Sequence, residues 1–146
     1  MMHITIEEFT IEAYAQVYSL WENFDGIGLS GADSRAAIQK YLERNPGLSF
    51  VAEVDARIVA SLMAGHDGRR GYIQHLAVDP EQRNQGIAGR LLEHCLQALL
   101  DQGIAKSHVH VLNSNELGRD FWSRRGWTHR AEIEMYSFIN GDDENT

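Results

Sequence analysis

The chain has 146 residues, 43% of them hydrophobic and 23% charged, with two prolines, which suits one compact domain and excludes a disordered or fibrous chain. Thirteen Lys and Arg against 21 Asp and Glu leave a formal net charge of -8, which argues against non-specific nucleic-acid binding and favours a cationic partner, with solubility as the plainer reason. No apolar run approaches the ~18 residues of a membrane span, residues 1–8 carry no basic segment followed by an apolar one, and the single Cys95 excludes an internal disulfide framework and a cysteine-built zinc site; the expectation is a cytoplasmic protein with no membrane, nucleic-acid or metal partner.

Residues 3–9 alternate loosely and suit a strand. Thr10 can cap a helix that runs to about Trp21, with Ile11, Tyr14, Val17, Tyr18 and Trp21 at helical spacing. Residues 23–31 hold three glycines and read as a loop. Asp33 or Ser34 can cap a second helix through Ile38, Tyr41 and Leu42, which should stop before Pro46. Residues 48–54 and 57–64 read as a hairpin about Asp55-Ala56, where Asp-Gly would be the stronger turn. After a turn at 67–71, residues 72–78 are a third strand, ended by Asp79-Pro80. The clearest helix spans about 85–101, with Ile87, Leu91, Leu92, Cys95, Leu96, Leu99 and Leu100 on one face and Gly103 as its stop. A strand over 107–112, a short helix over 115–124 and one or two final strands over 127–139 follow. The order β-α-α-β-β-β-α-β-α-β is a mixed α/β sheet flanked by helices, one domain over 1–140 with a solvated tail at 141–146.

The segment that carries chemistry is Arg83-Asn84-Gln85-Gly86-Ile87-Ala88-Gly89-Arg90, between a strand and the strongest helix. Small residues at 86, 88 and 89 let a ligand approach the backbone closely. The first-turn N–H groups of a helix lack internal partners and carry partial positive charge, which suits a phosphate or pyrophosphate. No Gly-Lys-Ser/Thr follows, so this is not a Walker loop.

Leu76-Ala77-Val78-Asp79-Pro80 followed by Arg83-x-x-Gly86-x-Ala88-Gly89 resembles motif A of the GNAT superfamily of acetyl-CoA-dependent N-acetyltransferases. Asn115-x-x-Gly118-x-x-Phe121-Trp122-x-x-x-Gly126-Trp127 resembles its motif B. The resemblance covers about residues 3–139. It implies a mostly antiparallel sheet splayed at the acetyl-CoA site, with the amides of 85–90 on the pyrophosphate and the backbone at Leu76 and Val78 pairing with the pantetheine arm. It also implies an amide near Leu76 or Ala77 that polarises the thioester carbonyl, Asn115 on the pantetheine, and direct attack by a neutral amine.

Two departures bear on catalysis. The tyrosine that many members use as an acid is Trp122 here, and an indole N–H donates a hydrogen bond but no useful proton. A thiolate with a free pKa near ~8.5 can leave without full protonation, and Tyr72 or a water are substitutes. Where members place a glutamate base, this chain has Tyr72 or His110. A histidine can take the proton near neutral pH, so His110 is the first candidate base. His108, expected on the same strand face, and His75 on the neighbouring strand come next.

By the same resemblance, the first two helices and their loop line the acceptor pocket. Trp21, Glu22, Asp25, Asp33 and Arg35 are the candidates there, the carboxylates for an ammonium and Arg35 for a carboxylate. The expected acceptor is a small amine or amino-acid-like metabolite. Acetylation of a protein N-terminus or lysine, and a non-catalytic acyl-CoA sensor domain, are the alternatives. Cys95 reads as a core thiol, the tryptophans as core anchors, and Arg124-Arg125 as solvated or near the adenosine phosphate. The alternating final strand, with Glu132, Glu134 and Tyr136, is a candidate edge for a homodimer.

Overall fold

The computed structural model describes residues 3–24 and 26–141. Among these residues five strands form one sheet in the order β1-β2-β3-β4-β5: β1 (Ile4–Glu8), β2 (Phe50–Val54), β3 (Arg57–His66), β4 (Gly71–Val78) and β5 (Ser107–Val109). The first four pair antiparallel, and β5 lies parallel to β4. The helices are α1 (Tyr14–Glu22), α2 (Arg35–Arg44), α3 (Ile87–Asp101) and α4 (Glu116–Arg124).

Alternation along the strands supplies two apolar faces. On one, Ala52, Val54, Ala60, Leu62 and Ile73 meet Ile87, Leu91, Leu92, Cys95 and Leu99 of α3. On the other, Val51, Met63 and Ala77 meet Val17 and Trp21 of α1 and Ile38 of α2. Cys95 is buried on its helix face, and burial pushes its thiol up to about 12. It is a core residue, as its spacing predicts.

Local chemistry explains the element ends. Thr10 precedes a short 3-10 turn, Ile11–Ala13, and makes no side-chain cap bond, so α1 starts at Tyr14 rather than at Thr10. Ser34 is the cap of α2, accepting from the Ala37 N–H, while Asp33 belongs to a capping box with Ser30 in the preceding turn. The β2–β3 hairpin turns at Asp55 and Ala56, with φ of 52° and 63°. Two positive φ values are the signature of the tight primed turn, which favours glycine at its second position. Ala56→Gly should therefore raise stability by about 0.5–1 kcal/mol, read from the urea midpoint at an unchanged slope.

Two expectations fail. β5 ends at Val109 rather than near Leu112, so His110 lies outside it. Among the described residues, no strand follows α4: residues 128–141 hold neither helix nor strand, and 131–141 are exposed. A strand exists only against a partner edge, and this segment is not laid on the sheet.

Candidate active site

The central irregularity lies in β4. Its register with β3 runs from Met63↔Gln74 to Ser61↔Ala77, so His75 and Leu76 stand opposite the single residue Leu62. That is a β-bulge. His75 takes the extra conformation, with φ of 54° in the left-handed region, a strained place for a histidine, held there by its surroundings. The bulge redirects the side chain. Ile73 faces α3, so strict alternation would send Gln74 to the α1/α2 side and His75 back towards α3. Instead both Gln74 and His75 line one cavity on the α1/α2 side, and Ala77 returns to the core there.

His75 is built in from three directions. Its Nε2 lies 2.7 Å from Oδ1 of Asp33, with side-chain exposures of 17% and 6%. The other Asp33 oxygen accepts the Ser30 N–H at 2.9 Å, and the Asp33 carbonyl accepts the Tyr14 hydroxyl at 2.6 Å. Trp21 meets the imidazole edge-on at 4.8 Å, with its own indole N–H donating to Ser61 Oγ at 3.0 Å. A carboxylate on Nε2 fixes the ring and leaves Nδ1 as the lone-pair nitrogen, the arrangement a general base needs.

The cavity beside this pair measures about 490 Å³ and is open to solvent. Ala37, Tyr41, Lys40 and Arg44 of α2 form one wall, and Met63 and Gln74 lie on the sheet side. Tyr41 has the one buried side-chain polar atom without a partner among the described residues. Burial drives its hydroxyl pKa up from the ordinary tyrosine value.

β4 and β5 share only three rungs, Gly71↔Ser107 to Ile73↔Val109, and beyond them the strands part. At the far end of β4 the chain enters a loop in which Asn84 and Gly86 have φ of 64° and 78°. Gly86 is the N-cap of α3 and supplies no side-chain bond to the first turn. The N–H groups of that turn therefore need a partner from elsewhere. A Cβ built on Gly86 would meet nothing within 4 Å, so the space in front of it is open. Two arginines stand at this loop. Arg83 lies over the Phe24 ring at 5.4 Å. Arg125 lies over Phe121 at 4.4 Å and against Gly89, where an added Cβ would be 2.7 Å from its guanidinium. Arg90 reaches back to the Ile4 carbonyl at 3.5 Å.

The remaining sequence candidates fall in different places. Asn115 is the N-cap of α4, its Oδ1 accepting the Gly118 N–H at 2.9 Å, and its amide packs against Gly26 of the α1–α2 loop. Trp122 is 7% exposed and packs on Phe121 and Trp127 in the α3-side core. Tyr72 and His108 face each other across one β4–β5 rung, with ring centroids 5.8 Å apart. His110 is exposed past the end of β5, so the strand face expected for His108 and His110 together is not formed. Trp21 is fully buried and meets the cavity only through His75. Arg35 lies over Tyr14 at 5.9 Å rather than among the residues that line the cavity. Asp25 lies outside the described residues. The sequence places Tyr41 on the second helix but does not mark Ala37, Tyr41 and Arg44 as a cavity wall, although their three- and four-residue spacing marks one helix face.

Comparison with known proteins gives consistent findings. Residues 14–127 match the acetyltransferase (GNAT) family. The PaiA N-acetyltransferase of Thermoplasma acidophilum, solved with coenzyme A, superposes with a TM-score of 0.75 at 17% identity, over 97% of this chain and 96% of that one. An aminoglycoside acetyltransferase from an uncultured soil metagenomic sample, solved with sisomicin, gives 0.69 at 23% identity, over 94% and 95%. The ribosomal-protein-S18-alanine N-acetyltransferase of Escherichia coli gives 0.70 at 21% identity, over 85% and 77%. These likenesses establish the fold.

Proposed function

The chain belongs to the acetyltransferase (GNAT) family, and from that premise we propose that it transfers an acetyl group from acetyl-CoA to the primary amine of a small, amino-acid-like acceptor. The observation that carries this is the Asp33–His75 pair, set by a β-bulge at the wall of an open cavity.

The residues present fit acetyl-CoA. The uncapped first turn of α3, with open space before Gly86, suits a pyrophosphate. Arg83 brings positive charge to the loop, and Arg125 brings it to Gly89 in the first turn of α3. The parting of β4 from β5 leaves strand backbone to pair with an extended pantetheine arm. When bound, acetyl-CoA supplies a thioester whose C–S bond gives way to an amide C–N bond as the thiolate departs.

The protein's part in the reaction is binding, orientation and proton handling. Asp33 holds the Nε2–H of His75, and Nδ1 takes the proton that an ammonium must lose before its nitrogen can attack. The bulge takes Leu76 out of ladder register, and its N–H is the proposed donor to the thioester carbonyl. Trp122 is buried in the core and supplies no acid. Departure as thiolate is consistent with a free thiol pKa near ~8.5.

The acceptor class follows from charge. Asp33 and His75 lie at one side of the cavity, and Lys40 and Arg44 on α2 border it. An amine that carries a carboxylate presents the complementary pair. The test is thiol release from acetyl-CoA over a panel of free amino acids, aminoglycosides and peptides with free N-termini. Release that depends on an amino-acid-like amine is expected. Release with peptides alone would move the acceptor to protein N-termini, and release with none of them would overturn the proposal.

A further inference from the structure

The Tyr41 hydroxyl is a buried hydrogen-bond donor with no acceptor among the described residues, and such a group calls for a water or a ligand. The protein around it offers nothing. The hydroxyl rests over Gly65 of β3, where an added Cβ would be 2.8 Å away, and the Asn45 amide lies against the same point. That amide is already committed: its Nδ2 donates to the Tyr41 carbonyl at 3.2 Å, and its Oδ1 accepts the His66 N–H at 3.1 Å. Burial keeps the hydroxyl protonated, so it stays a donor. Tyr41 lines the same cavity as His75, with Lys40 and Arg44 as cationic neighbours on α2.

His75 and Tyr41 stand at separate ends of that cavity. Gly65 pairs with Tyr72, and Tyr72 is three residues from His75 along β4, a distance of about 10 Å. The helix gives the same separation. Asp33, the partner of His75, precedes the Ser34 cap, and Tyr41 lies seven residues beyond that cap, about 10 Å along the axis. Between the ends, Ala37, Ile38 and Met63 supply apolar wall. With a hydrogen bond of about 3 Å at either end, the nitrogen and oxygen of a bridging acceptor stand roughly 5 Å or more apart. The α-amine and carboxylate of one amino acid span only about 3 Å.

We propose that the acceptor carries its amine and a carboxylate at opposite ends of an apolar chain of about four to six carbons, and that the Tyr41 hydroxyl donates to that carboxylate and so selects for length. This rests on the acetyl-transfer proposal and narrows its acceptor class. The reacting nitrogen is met at His75, the chain crosses Ile38 and Met63, and the far oxygen is met by Tyr41. Lys40 and Arg44 are exposed, so they attract the carboxylate without fixing it, whereas a buried donor holds it at one distance.

The test is kcat/KM for thiol release from acetyl-CoA with glycine, γ-aminobutyrate, ε-aminocaproate and hexylamine, for the parent and for Tyr41→Phe. The parent should prefer the better of the two longer amino acids to glycine, and to hexylamine, which has the chain without the carboxylate, by about tenfold or more. The preference over hexylamine should fall about tenfold in Tyr41→Phe, through KM rather than kcat. Melting temperature supplies the readout of a purely structural role. A hydroxyl without a partner in the free protein gives Tyr41→Phe a melting temperature at or above the parent's. A lowered melting temperature with the preference intact would assign the hydroxyl to the fold and overturn the proposal. Release with glycine or peptide amines as fast as with the longer chains would overturn this inference and leave acetyl transfer standing. Release with no amine at all would overturn both.

Discussion

Replacing His75 with alanine should lower kcat/KM for the amine by about 10²–10⁴-fold, the usual worth of a positioned general base, with acetyl-CoA affinity within about twofold of the parent. The separation is expected because the imidazole faces the cavity on the α1/α2 side, while the loop before α3 follows the end of β4 and leads to the helix on the opposite face of the sheet. Asp33→Asn should cost less, about 10–100-fold, since an amide of the same shape still holds the ring through a hydrogen bond. His110→Ala is the control: this residue is exposed past the end of β5, so turnover within about twofold of the parent is expected. If His110→Ala abolished turnover and His75→Ala did not, the base would be assigned wrongly.

Gly86→Asp should weaken acetyl-CoA binding by about 100-fold or more while the protein stays folded. A side chain fits sterically, because nothing lies within 4 Å of a Cβ at this position. The left-handed φ of 78° costs an aspartate only about 1 kcal/mol of stability, aspartate being among the residues that tolerate it best. What changes is the field. The first turn of α3 presents unpaired N–H groups, and a carboxylate there both accepts them and repels a phosphate. Like unit charges about 4 Å apart repel by roughly 4 kcal/mol in a surface environment, and each 1.4 kcal/mol is tenfold in affinity. Gly86→Ala separates the two effects, since it carries the strain without the charge and should bind within a few-fold of the parent. Equal binding by the parent and Gly86→Asp in a calorimetric titration would place the phosphates elsewhere.

The scaffold was largely legible in the chain because its strongest signals are local. The Leu91, Leu92, Cys95 and Leu99 spacing marks α3, Ser34 and Pro46 bracket α2, and Asp67 bends its own turn by accepting the Arg69 and Arg70 N–H groups. The open, uncapped start of α3 was legible for the same reason, since glycine at 86 and small residues at 88 and 89 announce close approach in any context.

The Asp33–His75 pair was not legible as a pair. Asp33 and His75 each stood out, one as a carboxylate for an ammonium and the other as a secondary base, yet 42 positions separate them. Alternation would turn His75 towards α3. Only the extra residue in β4, whose cause is the long-range register with β3, brings it round to Asp33. His110 was ranked first on an expected strand that stops one residue short of it. The final strand was misread for a related reason. Alternation over 131–139 reports a sequence suited to pairing, but pairing needs an edge, and no edge in the same chain is engaged.

The central claim is that the bulge in β4 and the uncapped start of α3 together form an acetyl-CoA site. Calorimetric titration of the unaltered protein with acetyl-CoA tests it most directly. One equivalent per chain, with a dissociation constant in the micromolar range, is the result expected. A folded protein that takes up no acetyl-CoA at millimolar concentration would contradict the claim, and would leave the fold without the chemistry drawn from it.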